Sequence, residues 1–449
     1  MKVADARAPA ACGAIATAAL ALTLAAPNPE PRLETLPAGV VELHSELVLA
    51  NGRELRGAPS GTVLRAAADF RGRALIVVRG SGVALRGFTI DGSREVLEQR
   101  TGLPPSNQPF SEFTRANGVL AVNVSKLRIE NVQFRNIAGF AVLVSRSRDV
   151  RIDGVEVADS GSRSVSGRNN ATGGILLEEG TTAFCVTRSL FRNIRGNGVW
   201  THSLFTSPRN RDGWIAFNHF ENLARDAIQV GHATSVRVEE NQGNRIGFPA
   251  EEVDSENQAY PVAMDTAGDV DQSSYARNRF TEIDGKCIDL DGFHDGEVTE
   301  NSCVNRPDPR LYPFGNIGIL FNDSNPQTRS NHIRVIGNLL DGVKFTGIFA
   351  FGAGHVIAHN RLLNVNLAHC NEKAAEFGCY YPKGEPEALE VGIYLGRGIL
   401  WPEPLQGALV EDNEITGFHM ATRCIELAPG VSATANTIRN NRCTDYIAR

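Results

Sequence analysis

The chain has 449 residues with 45 basic and 51 acidic side chains, a formal charge of −6, which excludes a nucleic-acid binder working through bulk positive charge, because neutralising phosphates needs a basic surface. At 42% hydrophobic and 21% charged residues the composition is that of a folded globular protein rather than a disordered one. Gly contributes 44 residues, more than the usual ~7%, and its scatter through apolar stretches predicts many tight turns.

In chain order, Lys2 and Arg7 precede an apolar run from Ala14 to Ala26, and a polar, Pro-containing stretch from Pro27 to Arg32 follows. The run is too short to span a bilayer and reads as a secretory signal peptide, residues 1–26, cut near Ala25 or Ala26. No later segment reaches the ~18 apolar residues of a transmembrane helix. The mature chain, 27–449, is therefore expected to be one secreted or periplasmic domain, a monomer with no membrane span.

A short strand pattern, apolar-any-apolar-any, then recurs through the chain. Its copies are Val119–Val122, Val142–Ser145, Ile175–Glu178, Val199–His202, Ile228–Gly231 and Val262–Asp265, then Ile288–Asp291, Ile319–Asn322, Ile348–Phe351, Ile393–Gly396 and Ile425–Ala428. Between them lies a second period-2 element that ends in Asn or a polar turn, such as Leu127–Asn131, Val236–Asn241, Ile333–Asn338 and Val356–Asn360. Asn recurs at 131, 218, 241, 278, 301, 338, 360, 413 and 436, as tight bends between strands require; stacked once per coil, these amides are expected to form a ladder. No stretch keeps a 3.6-residue period. Coils of short strands with one strand held in register form a solenoid, and the expected fold is all-β, a right-handed parallel β-helix with inserted loops.

With Leu36-Pro-Ala-Gly39, Val63-Leu-Arg65, Gly87-Phe-Thr-Ile-Asp-Gly92 and the Asn-punctuated coils, the chain resembles the pectate-lyase-like superfamily of carbohydrate-active β-helix proteins. The resemblance covers most of the mature chain and implies a polysaccharide or oligosaccharide partner. That superfamily holds lyases, hydrolases, epimerases, tailspikes and adhesins, so fold alone does not name a reaction.

Seven cysteines follow the leader. Cys287 and Cys303, and Cys424 and Cys443, stand in the same relation to a following Ile and a preceding Asn, which predicts two disulfides in an oxidising compartment. Cys370–Cys379 is expected as a third, local bridge, with Cys185 a buried thiol outside this pairing.

Alternate side chains of each repeat point away from the solenoid core. The outward positions of the middle coils carry Glu178, Trp200, His202, Gln229, Asp265, Asp289, Asp291 and Asn322, with His232, His294, Asp295 and Asp323 beside them. Stacked carboxylates repel and add nothing to a sheet. A groove of Asp, His and Trp suits a sugar chain, the ring of Trp200 packing on a sugar face and carboxyl groups acting as acid and base. Asp265, Asp289, Asp291 and His202 are the candidate catalytic residues. Trp200, Glu178, Gln229, His232, Arg225, His294, Asp295 and Asn322 are the candidate substrate-binding residues. Asp265 and Asp291, on adjacent coils, are expected about 5 Å apart, and Asp289 and Asp291, on one strand, about 6.5–7 Å apart.

The Asp-rich run Cys287–Glu297 fails the EF-hand spacing, which leaves a calcium ion open and no metal ligand assigned. Gly231-His232 shares two residues with the Gly-His-Gly of polygalacturonases, but Ala233 holds the third position. His294-Asp295 resembles the end of the Asp-Pro-His-Asp of alginate epimerases, without its Pro. A crowded carboxylate cluster favours a glycosidase, since one carboxyl group raises the pKa of another, and the outward columns hold no Lys for a uronate lyase. The alternatives are a lyase or C5-epimerase, with His202, His232 or His294 as base and Arg225 neutralising charge, and a non-catalytic glycan-binding β-helix.

Overall fold

The structure, a computed structural model, describes residues 32–257, 259–325 and 327–445. The expected signal peptide lies outside the described residues. Among them, 39 strands form one continuous parallel ladder, wound as a right-handed β-helix. Each full coil contributes three strands, and each strand pairs with its counterpart one coil on. In one coil Phe140–Ser145, Arg148–Asp153 and Glu156–Ala158 pair with Gly173–Glu178, Thr182–Thr187 and Leu190–Ile194 of the next.

The first face carries the repeat seen in the sequence. Val142 lies beside Val119 and Ile175, Val199 beside Ile175 and Ile228, and Ile319 beside Ile288 and Ile348. Two earlier copies, Leu47–Leu49 and Ile76–Val78, extend it toward the N-terminus. One copy sits in a different register from the one expected. Met264, not Val262, aligns with Ile228 and Ile288. A two-residue slip keeps every side chain on its side of the sheet, so inward–outward alternation is blind to it; only a one-residue slip would reverse the pattern.

Inside the coils, apolar side chains stack into a single core running the length of the solenoid. Phe191 and Phe220 stack at 5.0 Å and Phe220 and Phe280 at 6.4 Å. The Asn ladder fills the turn between the second and third faces. Each Asn amide donates to the side-chain oxygen of the next, from Asn218 through Asn241, Asn278, Asn301, Asn338, Asn360 and Asn413 to Asn441, at 2.8–3.0 Å. Asn131 and Asn436, expected as rungs, stand outside it. Asn436 instead accepts from the Ala408 N–H.

Cys287–Cys303, Cys370–Cys379 and Cys424–Cys443 are disulfides, as the sequence predicts. Cys185 corrects the expectation of a thiol: it is also disulfide-bonded. Among the described residues no helix is long and apolar enough to cross a membrane.

Candidate functional site

The register of the first face sets the floor of a groove. Its outward column runs Leu120, Leu143, Leu176, Trp200, Gln229, Asp265, Asp289, Leu320, Phe349, Tyr394 and Glu426. Asp265 therefore lies directly beside Asp289, not beside Asp291 as expected, and the adjacent pair of the site is Asp265–Asp289. The second column places Asp291 beside Asn322 and Glu178 beside His202. At Gly231 that column has no side chain; a Cβ there would meet the Thr201 carbonyl oxygen at 2.7 Å and the Trp200 indole nitrogen at 3.6 Å.

Two cavities meet over this floor. The smaller, about 410 Å³, is lined by Trp200, His202, Phe205 and His232 under the loop Leu103–Phe110. The larger, about 910 Å³, is lined by Asp226, Asp265, Lys286, Asp289 and Asn322 and by the aromatic rings of Tyr260, Phe314 and Tyr380. Arg225, Gln229 and Asp291 line both.

At the junction sits a network of buried charges. Asn197 Nδ2 donates to Gln229 Oε1 at 2.8 Å, and Gln229 Nε2 donates to Asp265 Oδ2 at 2.6 Å. This amide relay occupies one oxygen of Asp265, so a proton on that carboxyl group resides on Oδ1. Burial, with the charges of Asp226 and Asp289 added, pushes the Asp265 pKa well above the carboxylate range. The Lys286 ammonium donates to Asp289 Oδ2 at 2.7 Å, and Asp289 Oδ1 is buried without a partner. Burial works against the charge on Lys286, but Asp289, Asp265 and Asp226 together raise its pKa above that of an ordinary lysine.

Asp226 accepts from the Val262 N–H at 3.0 Å and lies 3.7 Å from the Arg225 guanidinium; burial lifts it to about 6 against the pull of Arg225. Asp291 is likewise raised to about 6 by burial, although Ser324 donates to both of its oxygens, from N–H at 2.7 Å and from Oγ at 2.6 Å. Lys286 is a functional candidate absent from the sequence reading, and Asp226, which the segment 224–232 brings to this coil, joins the candidates with no role assigned from sequence. Asp226 precedes its strand and Lys286 opens one, so neither occupies an outward column. The outward columns hold no lysine, as expected, yet the four-carbon stem of Lys286 carries its ammonium to Asp289 at the floor.

The other expected residues divide. Trp200, His202, Gln229, His232, Arg225 and Asn322 line the groove. Burial lowers His202 to about 4 and also lowers His232, so both rings are neutral at pH 7. Glu178 is not on the groove surface. It is fully buried beneath the segment Arg94–Ala116, where its oxygens accept from the N–H groups of Phe110 and Ser111 at 2.9 and 2.8 Å. Its role is to hold that segment down.

His294 and Asp295 lie on the neighbouring face. His294 bridges Asp269 at 3.0 Å and Asp295 at 2.8 Å, and the Asp269 bond lifts it to about 9. The run 287–297 thus turns a corner between faces, which scatters its carboxylates instead of converging them on a calcium ion. Among the described residues the one convergent group is Glu178, Glu179 and His202. Its carboxylates are already engaged, Glu178 as above and Glu179 by the Leu204 N–H at 2.9 Å and by Ser207 Oγ, so it offers a cation little free charge.

No protein-family model matches the sequence, and no curated protein does. Solved structures are similar in fold. DFA-IIIase from Arthrobacter chlorophenolicus A6, in complex with GF2, is 12% identical over 91% of this chain and 87% of its own, with a TM-score of 0.51. PfbA, a surface adhesin of Streptococcus pneumoniae, is 13% identical over 74% of this chain and 84% of its own, with a TM-score of 0.55. The Dettilon tailspike protein is 14% identical over 74% of this chain and 60% of its own, with a TM-score of 0.50. The likeness is one of architecture: the chain has a right-handed parallel β-helix fold.

Proposed function

We propose that the protein is an exported, single-domain glycan-cleaving enzyme that hydrolyses a glycosidic bond between Asp265 and Asp289. The observation that carries this reading is a set of buried polar atoms without a hydrogen-bond partner on residues that line one groove: Trp200 Nε1, Arg225 Nε, His202 Nδ1, His232 Nδ1 and Asp289 Oδ1. Buried polar groups without partners are costly, and a ligand that both donates and accepts at many points, as sugar hydroxyls do, would satisfy them together. A cluster that mixes a proton-holding carboxyl group with a neighbour whose oxygen is open supplies an acid and a second carboxylate.

In this mechanism Asp265 gives its Oδ1 proton to the leaving glycosidic oxygen. Asp289 Oδ1, on the adjacent coil, attacks the anomeric carbon as that bond breaks; Asp265 then takes a proton from water, which displaces the sugar from Asp289. Adjacent strands stand about 4.8 Å apart, close to the ~5–5.5 Å carboxyl separation of retaining enzymes, so retention of the anomeric configuration is expected. Disulfides in the fold suit an oxidising, extracytoplasmic compartment. The neighbours bear on the reading only as proteins named as DFA-IIIase in complex with GF2, an adhesin and a tailspike on the same fold.

A second reading draws on Lys286. A buried ammonium beside Arg225 can neutralise a uronate carboxylate, which favours a lyase or epimerase acting at C5. The test is a panel of cellulose, xylan, inulin, polygalacturonate and alginate, read for new reducing ends, for the ultraviolet absorbance of an unsaturated uronate, and for the anomer first formed. New reducing ends without absorbance, with retained configuration, support hydrolysis. Absorbance supports the lyase, and binding with no product supports a glycan-binding protein.

A further inference from the structure

We infer that the groove accepts the end of a glycan chain, or a short oligosaccharide, and not the middle of a long polymer. The inference rests on the glycan reading of the site and goes further, to the form of the substrate. It comes from what covers the same sheet face at either end.

On the N-terminal side, the segment Arg94–Ala116 crosses the outward column. Phe110 meets Phe140 edge-on at 5.7 Å and Trp200 at 4.9 Å, above a second apolar cluster that includes Val77, Leu120, Leu143 and Leu176. The segment is tied down by Glu178, by the Arg146–Glu112 ion pair at 3.1 Å and by Asn170 donating to the Thr101 carbonyl at 3.0 Å. On the C-terminal side, the inserted stretches 366–392 and 397–406 flank the ladder strand Ile393–Leu395. Its outward Tyr394 is fully buried and stacks at 5.5 Å on Phe349, itself buried, so the column is closed at these rungs. Ala388 and Leu389, buried, join Phe349 at that end of the larger cavity, and Cys370–Cys379 staples the inserted stretch before them.

The rungs left open run from Trp200 to Leu320, four inter-strand steps, about 19 Å or roughly four sugar units. The carboxyl pair is not central in that span. Only the Trp200 and Gln229 rungs lie between it and the Phe110 wall, about 10 Å, roughly one or two units, whereas the larger cavity with Tyr260 and Tyr380 lies on the other side. A chain threaded to the wall is cut one or two units from its end.

The test uses xylo-, cello-, inulo- and galacturono-oligosaccharides of two to eight units, labelled at the reducing end, with the parent polymers. Two readouts separate the inference from the reaction proposed above. In the first, the products of the wild-type protein are resolved over time; mono- or disaccharide release from the earliest point, while polymer viscosity holds, supports the inference. An early ladder of intermediate lengths overturns it. In the second, binding to the Asp265→Asn variant is titrated against chain length without reference to turnover. Affinity that rises to about four units and then levels supports chain-end binding even where no bond is cut, a result that would refute only the hydrolase. Affinity that climbs at least tenfold between four and eight units, or no binding at any length, overturns the inference. Replacing residues 103–110, Phe110 included, by a short Gly-Ser linker should open the wall and bring mid-chain products into the digest.

Discussion

A carboxyl group walled from water and facing two others keeps its proton, and that is the position of Asp265. Exchange of Asp265 or of Asp289 for Asn is expected to lower turnover by ~10²–10⁴ while leaving sugar binding largely intact, measured by initial rates and by titration. Asp265→Asn should also raise the melting temperature at pH 7. The sign follows from linkage. A raised pKa means that the folded state holds a proton which the unfolded chain releases above about pH 4, so the native carboxyl group costs stability as pH rises, and an amide removes that cost. Asp226 raises the Asp265 pKa through its charge, so Asp226→Asn should move the alkaline limb of the activity profile to lower pH. An unmoved limb would assign that limb to another group. His294 works in the opposite sense on stability. Its pKa, lifted to about 9 by Asp269 and Asp295, contributes stability that is complete below about pH 6.5 and is lost as pH rises through 9. Melting scans across that window should show a decline that His294→Gln abolishes.

At the scale of elements, the ladder turn bears much of the register. Asn278 accepts from the Asn241 backbone N–H at 3.0 Å and donates to the Asn301 oxygen and the Val238 carbonyl, both at 2.9 Å. Asn278→Ala leaves these groups unpaired in a buried turn and is expected to cost about 3 kcal/mol, measured by denaturant unfolding. A loss below about 0.5 kcal/mol would show that water replaces the amide. The strand repeat and its Asn bends were legible because a solenoid imposes one pattern on every coil. Legibility ended where two placements satisfied the same alternation: Val262 and Met264 are both apolar and two apart, and only the pairing with Ile288 decides between them. The covering segments 94–116, 366–392 and 397–406 carry no period. That Glu178 would serve to anchor Phe110 and not to meet solvent could not be seen from one chain position. Lys286 was hidden, and the role of Asp226 illegible, for a related reason, since they reach the floor by side-chain length and by the bend before a strand, not by strand alternation.

Across the whole molecule, a rigid stack of coils sets the spacing of Trp200, Gln229, Asp265 and Asp289, while the inserted segments decide how much of that column stays open. Function is thus divided between what the solenoid repeats and what interrupts it. The apolar ends of the outward column, evident in the sequence as Leu120, Leu143 and Leu176 before the polar stretch and Phe349 after it, are the footprints of those interruptions. The account is tested most directly by a crystal structure of Asp265→Asn soaked with the shortest oligosaccharide that the wild-type protein cleaves. A glycosidic oxygen within hydrogen-bond reach of the residue 265 side chain, an anomeric carbon facing Asp289 Oδ1, and hydroxyl groups on Trp200 Nε1 and Arg225 Nε are the predicted result. Sugar bound on another face of the solenoid, or lying in the groove with its scissile bond away from the Asp265–Asp289 pair, would contradict it.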